Sequence, residues 1–352
     1  MTDHKEILNA FLDLGVFFRA HREITGIDPT APSKNEWHSQ FNETILLAGQ
    51  KNGWFTKENI MHAVTNWGAL LTKENLEQWL ANYDVGKNRH KTVAIIMAGN
   101  IPLVGFHDFM AVILTGNKAV IKLSSNDQVL LPFIASFLIS KCPTLKGEIE
   151  FTENRLEDFD AVIATGSNNT SRYFEHYFSH KPNVIRKNRN AVAIINGQES
   201  KGQLRSLGED IFRYYGLGCR SVAKVFVPRG YNFDDFFNAI YDFHPIIEQT
   251  KYANNYDYNK AVYLMSGFKI LENGFLMIKE DESYSSPIAT LFYEQYDSLA
   301  DLKLQLARDQ EKIQCVVAND VLEDEVKFGR TQKPGLGDYA DGVDTVEFLL
   351  KT

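Results

Sequence analysis

Cys219 lies in Tyr214-Tyr215-Gly216-Leu217-Gly218-Cys219-Arg220-Ser221. Two glycines ahead of a cysteine allow backbone angles that expose a side chain at a turn. Arg220 supplies positive charge and a following helix N-terminus would add more; both stabilise a thiolate, the nucleophilic form of the side chain. The same residue also fits a small buried apolar position. Cys142, between Lys141 and Pro143, and Cys315, inside Cys315-Val316-Val317, read as structural.

Asn100 stands in Met97-Ala98-Gly99-Asn100-Ile101-Pro102. A side-chain amide after a strand can donate to a developing oxyanion, although asparagine and glycine also simply make turns. Thr165-Gly166-Ser167-Asn168-Asn169-Thr170 places glycine, hydroxyl and amides where a helix begins, which suits a pyrophosphate and equally a plain N-cap. A G-x-G-x-x-G fingerprint is absent. Lys122, in Ile121-Lys122-Leu123-Ser124-Ser125, can reach a ribose or phosphate from a strand end, or be merely solvated. Arg186, Lys187 and Arg189 form either a phosphate-holding patch or a charged loop. The three cysteines lack metal-type spacing and match neither a disulfide framework nor a zinc site.

The elements that must position these residues follow from hydrophobic period. Residues 1–88 read as helical: Ile7, Leu8, Phe11, Leu12, Leu14, Phe17 and Phe18 recur at helical intervals, and Thr56 to Leu80 repeats the pattern with Thr56 as N-cap. Gly26 to Ser33 reads as a connection. From Thr92 short apolar runs alternate with helical patterns. Strands are expected at Val93 to Met97, Ala119 to Ile121, Asp160 to Ala164 and Ala191 to Ile195. Helices are expected at Gly105 to Leu114, Asp127 to Ser140, Asn168 to Phe178 and Lys201 to Tyr214. Such alternation implies a parallel sheet covered on both faces, with ligands beyond the carboxyl ends of the strands. Further strands at Ala223 to Val227, Ala261 to Met265, Ile288 to Tyr293 and Cys315 to Ala318, with a helix at Phe233 to Tyr241, suggest a second α/β lobe. The tail, Phe328 to Gly342 and then Val346 to Leu350, is expected to pack on another element or a neighbouring subunit.

At 352 residues the chain exceeds one comfortable core,. Its 44% hydrophobic and 23% charged content is that of a folded soluble protein,. A formal net charge of -8 offers nucleic acid no basic surface. The start, MTDHKEILNAFLDLG, reads as neither signal nor transit peptide. No apolar run approaches the roughly 20 residues of a membrane helix, since Gly116, Asn117, Lys118 and Lys122 break Phe109 to Leu123. A cytoplasmic location is the expectation.

The order Asn100-Ile101-Pro102, Gly116 to Lys122, Thr165-Gly166-Ser167 and Cys219 resembles that of the aldehyde dehydrogenase superfamily. Phe328 to Gly337 is similar to that superfamily's glycine-rich closing motif. Tyr215 to Arg220 and Asp338-Tyr339-Ala340-Asp341-Gly342-Val343-Asp344 resemble the LuxC-type fatty acyl-CoA reductases of bacterial bioluminescence. The resemblance covers about residues 90–350; before that only a helical extension matches. It implies an α/β, aldehyde-dehydrogenase-like fold: an N-terminal helical extension over 1–88, an NAD(P)-binding domain over 89–198 and a catalytic cysteine domain over 199–320. A tail over 321–352 would pack on the cofactor domain or a neighbouring subunit.

By the same resemblance Cys219 accepts the acyl group and Asn100 donates to the oxyanion. Lys122, Ser124, Ser125, Gly166 and Ser167 bind the cofactor, no metal takes part, and dimers or tetramers are usual. Where aldehyde dehydrogenases carry a glutamate that activates water, this chain has roughly Val184-Ile185-Arg186-Lys187, so hydrolysis of an acyl-enzyme should be poor. Ser125 stands where NAD-preferring members place a ribose-binding glutamate; with Lys122 this favours NADPH. The implied reaction is reduction of an acyl-CoA or acyl-protein thioester to the aldehyde, with His244 either a proton donor or structural. An aldehyde dehydrogenase, a cofactor-free acyltransferase or thioesterase, and a non-catalytic nucleotide-binding protein are the alternatives.

Overall fold

A computed structural model describes residues 4–27, 36–87 and 90–352. The chain divides into two compact units, Met1–Asn188 with Gly335–Thr352, and Arg189–Pro334. Most of the connection expected from Gly26 to Ser33 lies outside the described residues.

In the first unit α1 (His4–Ile27), α2 (Glu36–Lys51), α3 (Lys57–Leu70) and α4 (Lys73–Leu80) precede the sheet. Ile7, Phe11, Leu14 and Phe18 are buried at helical spacing along α1,. Phe17 lies 4.8 Å from the ring of Phe137, and Phe41 4.8 Å from that of Phe133. Thr56 caps α3 as expected, its hydroxyl accepting from Asn59 N–H at 3.3 Å. The single pattern read from Thr56 to Leu80 is two helices, because Thr72 caps a second one and accepts from Asn75 N–H,.

Five parallel strands follow: β1 (Thr92–Ile96), β2 (Lys118–Lys122), β3 (Ile149–Phe151), β4 (Ala161–Thr165) and β5 (Asn183–Arg186), in the order β3-β2-β1-β4-β5. They alternate with α5 (Phe106–Leu114), α6 (Leu130–Lys141) and α7 (Asn168–Phe178). The chain steps outward from β1 to β3 and returns to β4 on the other side of β1. That reversal puts the switch point between β1 and β4, where open α/β sheets bind ligands. The edge strands β3 and β5 were not expected; at three and four residues they are too short for periodicity to show.

The second unit holds β6 (Asn190–Ile194), α8 (Lys201–Phe212), β7 (Val222–Pro228), α9 (Asp234–Ile240), α10 (Thr250–Met265), β8 (Ile270–Glu272), β9 (Met277–Glu280), β10 (Thr290–Tyr296), α11 (Leu299–Arg308) and β11 (Ile313–Val317). Its sheet runs β11-β6-β7-β10-β9-β8, with only the β8–β9 pair antiparallel. Ala191 and Ala193 face one hydrophobic cluster and Val192 and Ile194 another, so β6 is buried on both faces,.

Three expectations are corrected. Ala261 to Met265 is the last part of α10, whose buried Tyr252, Tyr256, Asn259 and Tyr263 are spaced as a helix; a five-residue apolar run does not distinguish a strand from a helix end. The strand at 190–194 pairs with β7 and β11, not with the first sheet. The division therefore falls after Asn188, ahead of the expected 198. Residues 321–334 likewise stay with the second unit, tied by a Val317–Val326 bridge.

From Gly335 onward the tail belongs to the first unit. Tyr339 accepts from Trp79 Nε1 at 2.8 Å, Tyr83 donates to Asp344 at 2.6 Å, and Asp344 caps α12 (Thr345–Lys351). Among the described residues no helix is long and apolar enough to cross a membrane, and no group of three or more His, Cys, Asp or Glu could hold a metal ion.

Candidate active site

The carboxyl ends of β1, β2 and β4 bring most of the first unit's expected residues together. Ile96 is level with Lys122 on one side and Ala164 on the other. Asn100 follows β1, Ser124 and Ser125 follow β2, and Gly166 and Ser167 follow β4.

The first two loops are clamped. Asn52, buried between α2 and α3, donates from Nδ2 to Gly99 O at 3.5 Å and to Asn126 O at 3.3 Å. A Cβ built on Gly99 would stand 2.7 Å from Ser124 Cβ and 3.1 Å from the Asp127 nitrogen. Glycine is thus required by close approach of the two loops. Leu103, with φ 59°, closes the Asn100 loop in the left-handed region. Its N–H faces the Asp127 carboxylate together with those of Val129 and Leu130 at the start of α6. Burial pushes the Asp127 carboxyl up to about 6 against those three N–H groups, and Oδ1 has no hydrogen-bond partner. Asn52 and Asp127 were both missed. Asp127 was legible only as a helix start; nothing local marks Asn52.

Lys122 Nζ donates to Asn154 O at 3.1 Å and is half-buried, while Ser125 is exposed. Ser124 Oγ accepts from Asn126 N–H at 3.2 Å. Ser167 is spent as the N-cap of α7, accepting from Thr170 N–H at 3.3 Å. At Gly166 a Cβ would meet Thr170 and Phe174 side chains at 3.0 Å. The missing side chain therefore lets α7 start hard against the end of β4, with its N–H groups at the switch point. A cation at Lys122 and an N-terminal helix turn fit an anionic dinucleotide.

Arg186 does not offer itself to a phosphate. It is buried, pairing bidentately with Asp108 on α5 and donating to Ala340 O and Thr345 Oγ1. Lys187 pairs with Glu175 at 2.6 Å.

In the second unit α8 ends and three successive residues, Tyr214, Tyr215 and Gly216, take φ of 56°, 58° and 75°. Two are non-glycine, so the approach to Cys219 is strained. Cys219 follows in a turn closed by Ser221 N–H to Gly218 O at 2.9 Å. Its thiol is half-buried and in no disulfide. The strand expected at Ala223 to Val227 follows as β7, so the positive charge next in sequence to the thiol is that of Arg220 rather than a helix end. Arg220 Nε donates to Thr331 O at 2.7 Å, and Gln332 Nε2 to Ser221 Oγ at 3.2 Å.

Asp210, near the end of α8 and almost fully buried, was also missed. It accepts from Gly329 N–H at 2.6 Å, Thr331 N–H at 2.9 Å and Thr331 Oγ1 at 2.8 Å. Burial pushes its carboxyl up to about 6, against those three donors. The available signal was an acid on the same helix face as the core residues Leu204, Leu207 and Ile211. His244 is exposed and stacked on Tyr241 at 5.1 Å, a surface contact. Cys142 is buried, and Cys315 packs against the core of its unit.

A family model described as acyl-CoA reductase (LuxC) matches residues 38–240, more than half of the chain. The chain belongs to that family. The match spans Asn100, Lys122, Gly166 and Cys219, and membership in the acyl-CoA reductases places the protein among oxidoreductases acting on acyl groups and aldehydes. No curated protein sequence matches it. Among solved structures it is similar to aldehyde dehydrogenase 21 from Physcomitrella patens, solved with the reaction product succinate. Identity there is 12%, coverage 100% of this chain and 84% of that one, and the TM-score 0.67. It also resembles P. syringae AldA indole-3-acetaldehyde dehydrogenase, solved with NAD+ and IAA (13% identity, 90% and 72% coverage, TM-score 0.63). A third is the aldehyde dehydrogenase KauB from Pseudomonas aeruginosa (12%, 90% and 72%, TM-score 0.62). At such identities the likeness establishes that this acyl-CoA reductase family member has the aldehyde dehydrogenase fold.

Proposed function

We propose that the protein reduces an acyl-CoA, or an acyl-protein thioester, to the aldehyde through an acyl-enzyme on Cys219, with NADPH as cofactor. The observation that carries the proposal is the Cys219 turn, a half-buried thiol beside Arg220 within the matched segment. The Cys219 thiolate attacks the thioester carbonyl carbon; a new C–S bond forms, the bond to the donor sulfur breaks, and that sulfur leaves as thiolate. Asn100 donates its side-chain amide to the oxyanion, a role that rests on the motif order. Lys122, Ser124, Ser125, Gly166 and Ser167 would hold the cofactor, with Lys122 free of a neighbouring carboxylate at position 125. When bound, NADPH supplies the hydride that takes the acyl group to the aldehyde level. Cys219 then departs as thiolate when the hemithioacetal collapses, and the donor thiol takes up one proton.

Release as acid would need a base for water. In the stretch compared with the aldehyde dehydrogenase glutamate, Arg186 is locked to Asp108, which supports transfer and reduction over hydrolysis.

The test is mass spectrometry and aldehyde assay with acyl-CoAs of several lengths and NADPH. Wild type should gain an acyl adduct on Cys219. Cys219→Ser should lose the adduct and at least about a thousandfold in aldehyde formation. Unchanged aldehyde formation by the variant would overturn the proposal.

A further inference from the structure

We infer that Asp210 is a positioning residue for Cys219, acting through the closing loop at 329–332; the inference rests on the role proposed for Cys219. Asp210 lies nine residues before the thiol on a helix anchored by Leu204, Leu207 and Ile211 in the hydrophobic core. Its carboxylate is 1% exposed and gathers three donors from the closing loop, the Gly329 N–H, the Thr331 N–H and the Thr331 hydroxyl. Thr331 then turns its carbonyl to Arg220 Nε at 2.7 Å. The next residue, Gln332, reaches Ser221 Oγ at 3.2 Å.

The two residues after Cys219 are thus held by a loop that Asp210 holds. The residues before it, Tyr214 to Gly216, are in the left-handed region, a conformation that persists only where the surroundings over-determine it. Asp210 sets the far side of that turn by fixing Thr331, and Thr331 holds the guanidinium of Arg220, the residue that directly follows Cys219. A fixed cation there favours thiolate over thiol. Without the carboxylate the Thr331 carbonyl loses its anchor, Arg220 swings with it, and the thiol becomes less acidic while the core of α8 stays intact.

The experiment follows alkylation of Cys219 by iodoacetamide from pH 6 to 10 on the intact protein, read on the Cys219 peptide so that Cys142 and Cys315 do not contribute. For Asp210→Ala the alkylation midpoint should rise by at least half a pH unit and the rate at pH 7 should fall severalfold. Asp210→Asn, which keeps one acceptor oxygen, should recover part of the shift. A wild-type profile in folded Asp210→Ala overturns the inference. Should Asp210→Ala not fold, Thr331→Val carries the test: it removes one donor and keeps the backbone, and an unshifted profile overturns the inference equally. Alkylation needs no acyl donor. A flat alkylation comparison with intact acylation of wild type therefore refutes this positioning role alone, and absent acylation refutes the function alone.

Discussion

Asp108 and Arg186 form a buried bidentate ion pair, Oδ1 to Nη2 at 2.6 Å and Oδ2 to Nε at 3.2 Å. It joins α5, the end of β5 and the tail, since Arg186 also donates to Ala340 O and Thr345 Oγ1. Burial pushes the Asp108 carboxyl up, but the Arg186 charge and hydrogen bonds, with His107 and Thr345, hold it below the usual carboxylate value.

Arg186→Met should therefore cost about 3–5 kcal/mol in urea unfolding, because it strands a buried carboxylate. In wild type the pair's contribution is present above the ordinary carboxylate pKa and fades as pH falls through the lower folded value. In the variant the sign reverses, since a lone buried carboxylate prefers its proton. A loss below about 1 kcal/mol would show that the pair is not structural.

Asp127 has the opposite linkage. Its folded pKa of about 6 exceeds the ordinary 3.8, so the fold binds a proton more tightly than the unfolded chain. Stability from this group is fully present below 3.8 and declines as pH rises to about 6, by roughly 3 kcal/mol at 1.36 kcal/mol per pH unit. Asp127→Asn should flatten that share of the stability profile between pH 4 and about 7, measured by urea unfolding at each pH. A slope identical to wild type would refute the linkage.

Gly99→Ala places a methyl against Ser124 and the Asp127 backbone. The overpacking should cost about 1–3 kcal/mol and, by parting the two loops, raise the KM for the nicotinamide cofactor severalfold. Gly99→Ala with Ser124→Gly should recover part of both. If the double variant is no better than the single, the contact with Ser124 is not the cause.

Cofactor choice is testable at position 125. Ser125→Glu puts a carboxylate near the expected 2′-phosphate and should shift kcat/KM from NADPH toward NADH by about tenfold or more, through like-charge repulsion. Lys122→Ala should weaken NADPH more than NADH. Ratios unchanged in both variants would place the preference elsewhere in the chain.

Much of the architecture is local and was therefore legible. Strand and helix alternate visibly from Thr92, Thr56 announces a helix, and the glycines before Cys219 announce a turn. Sheet membership was not legible. The run at 190–194 looks like any buried strand, and only its pairing with β7 and β11 assigns it to the second sheet. Ala261 to Met265 failed because only Tyr263 of that run is buried, in helical register with Asn259, Tyr256 and Tyr252 one, two and three turns earlier in α10.

The chain alone determined the types and order of the residues around Cys219, Asn100, Lys122 and Gly166, because each sits in a short turn or strand end whose conformation depends on its neighbours in sequence. Only the tertiary structure decided what fixes them. Asn52 reaches Gly99 across 47 residues, Arg186 reaches Asp108 across 78, and Thr331 reaches Asp210 across 121. Burial and hydrogen bonding at such separations arise when the sheets assemble, and they turn ordinary asparagines and aspartates into the clamps of the candidate site.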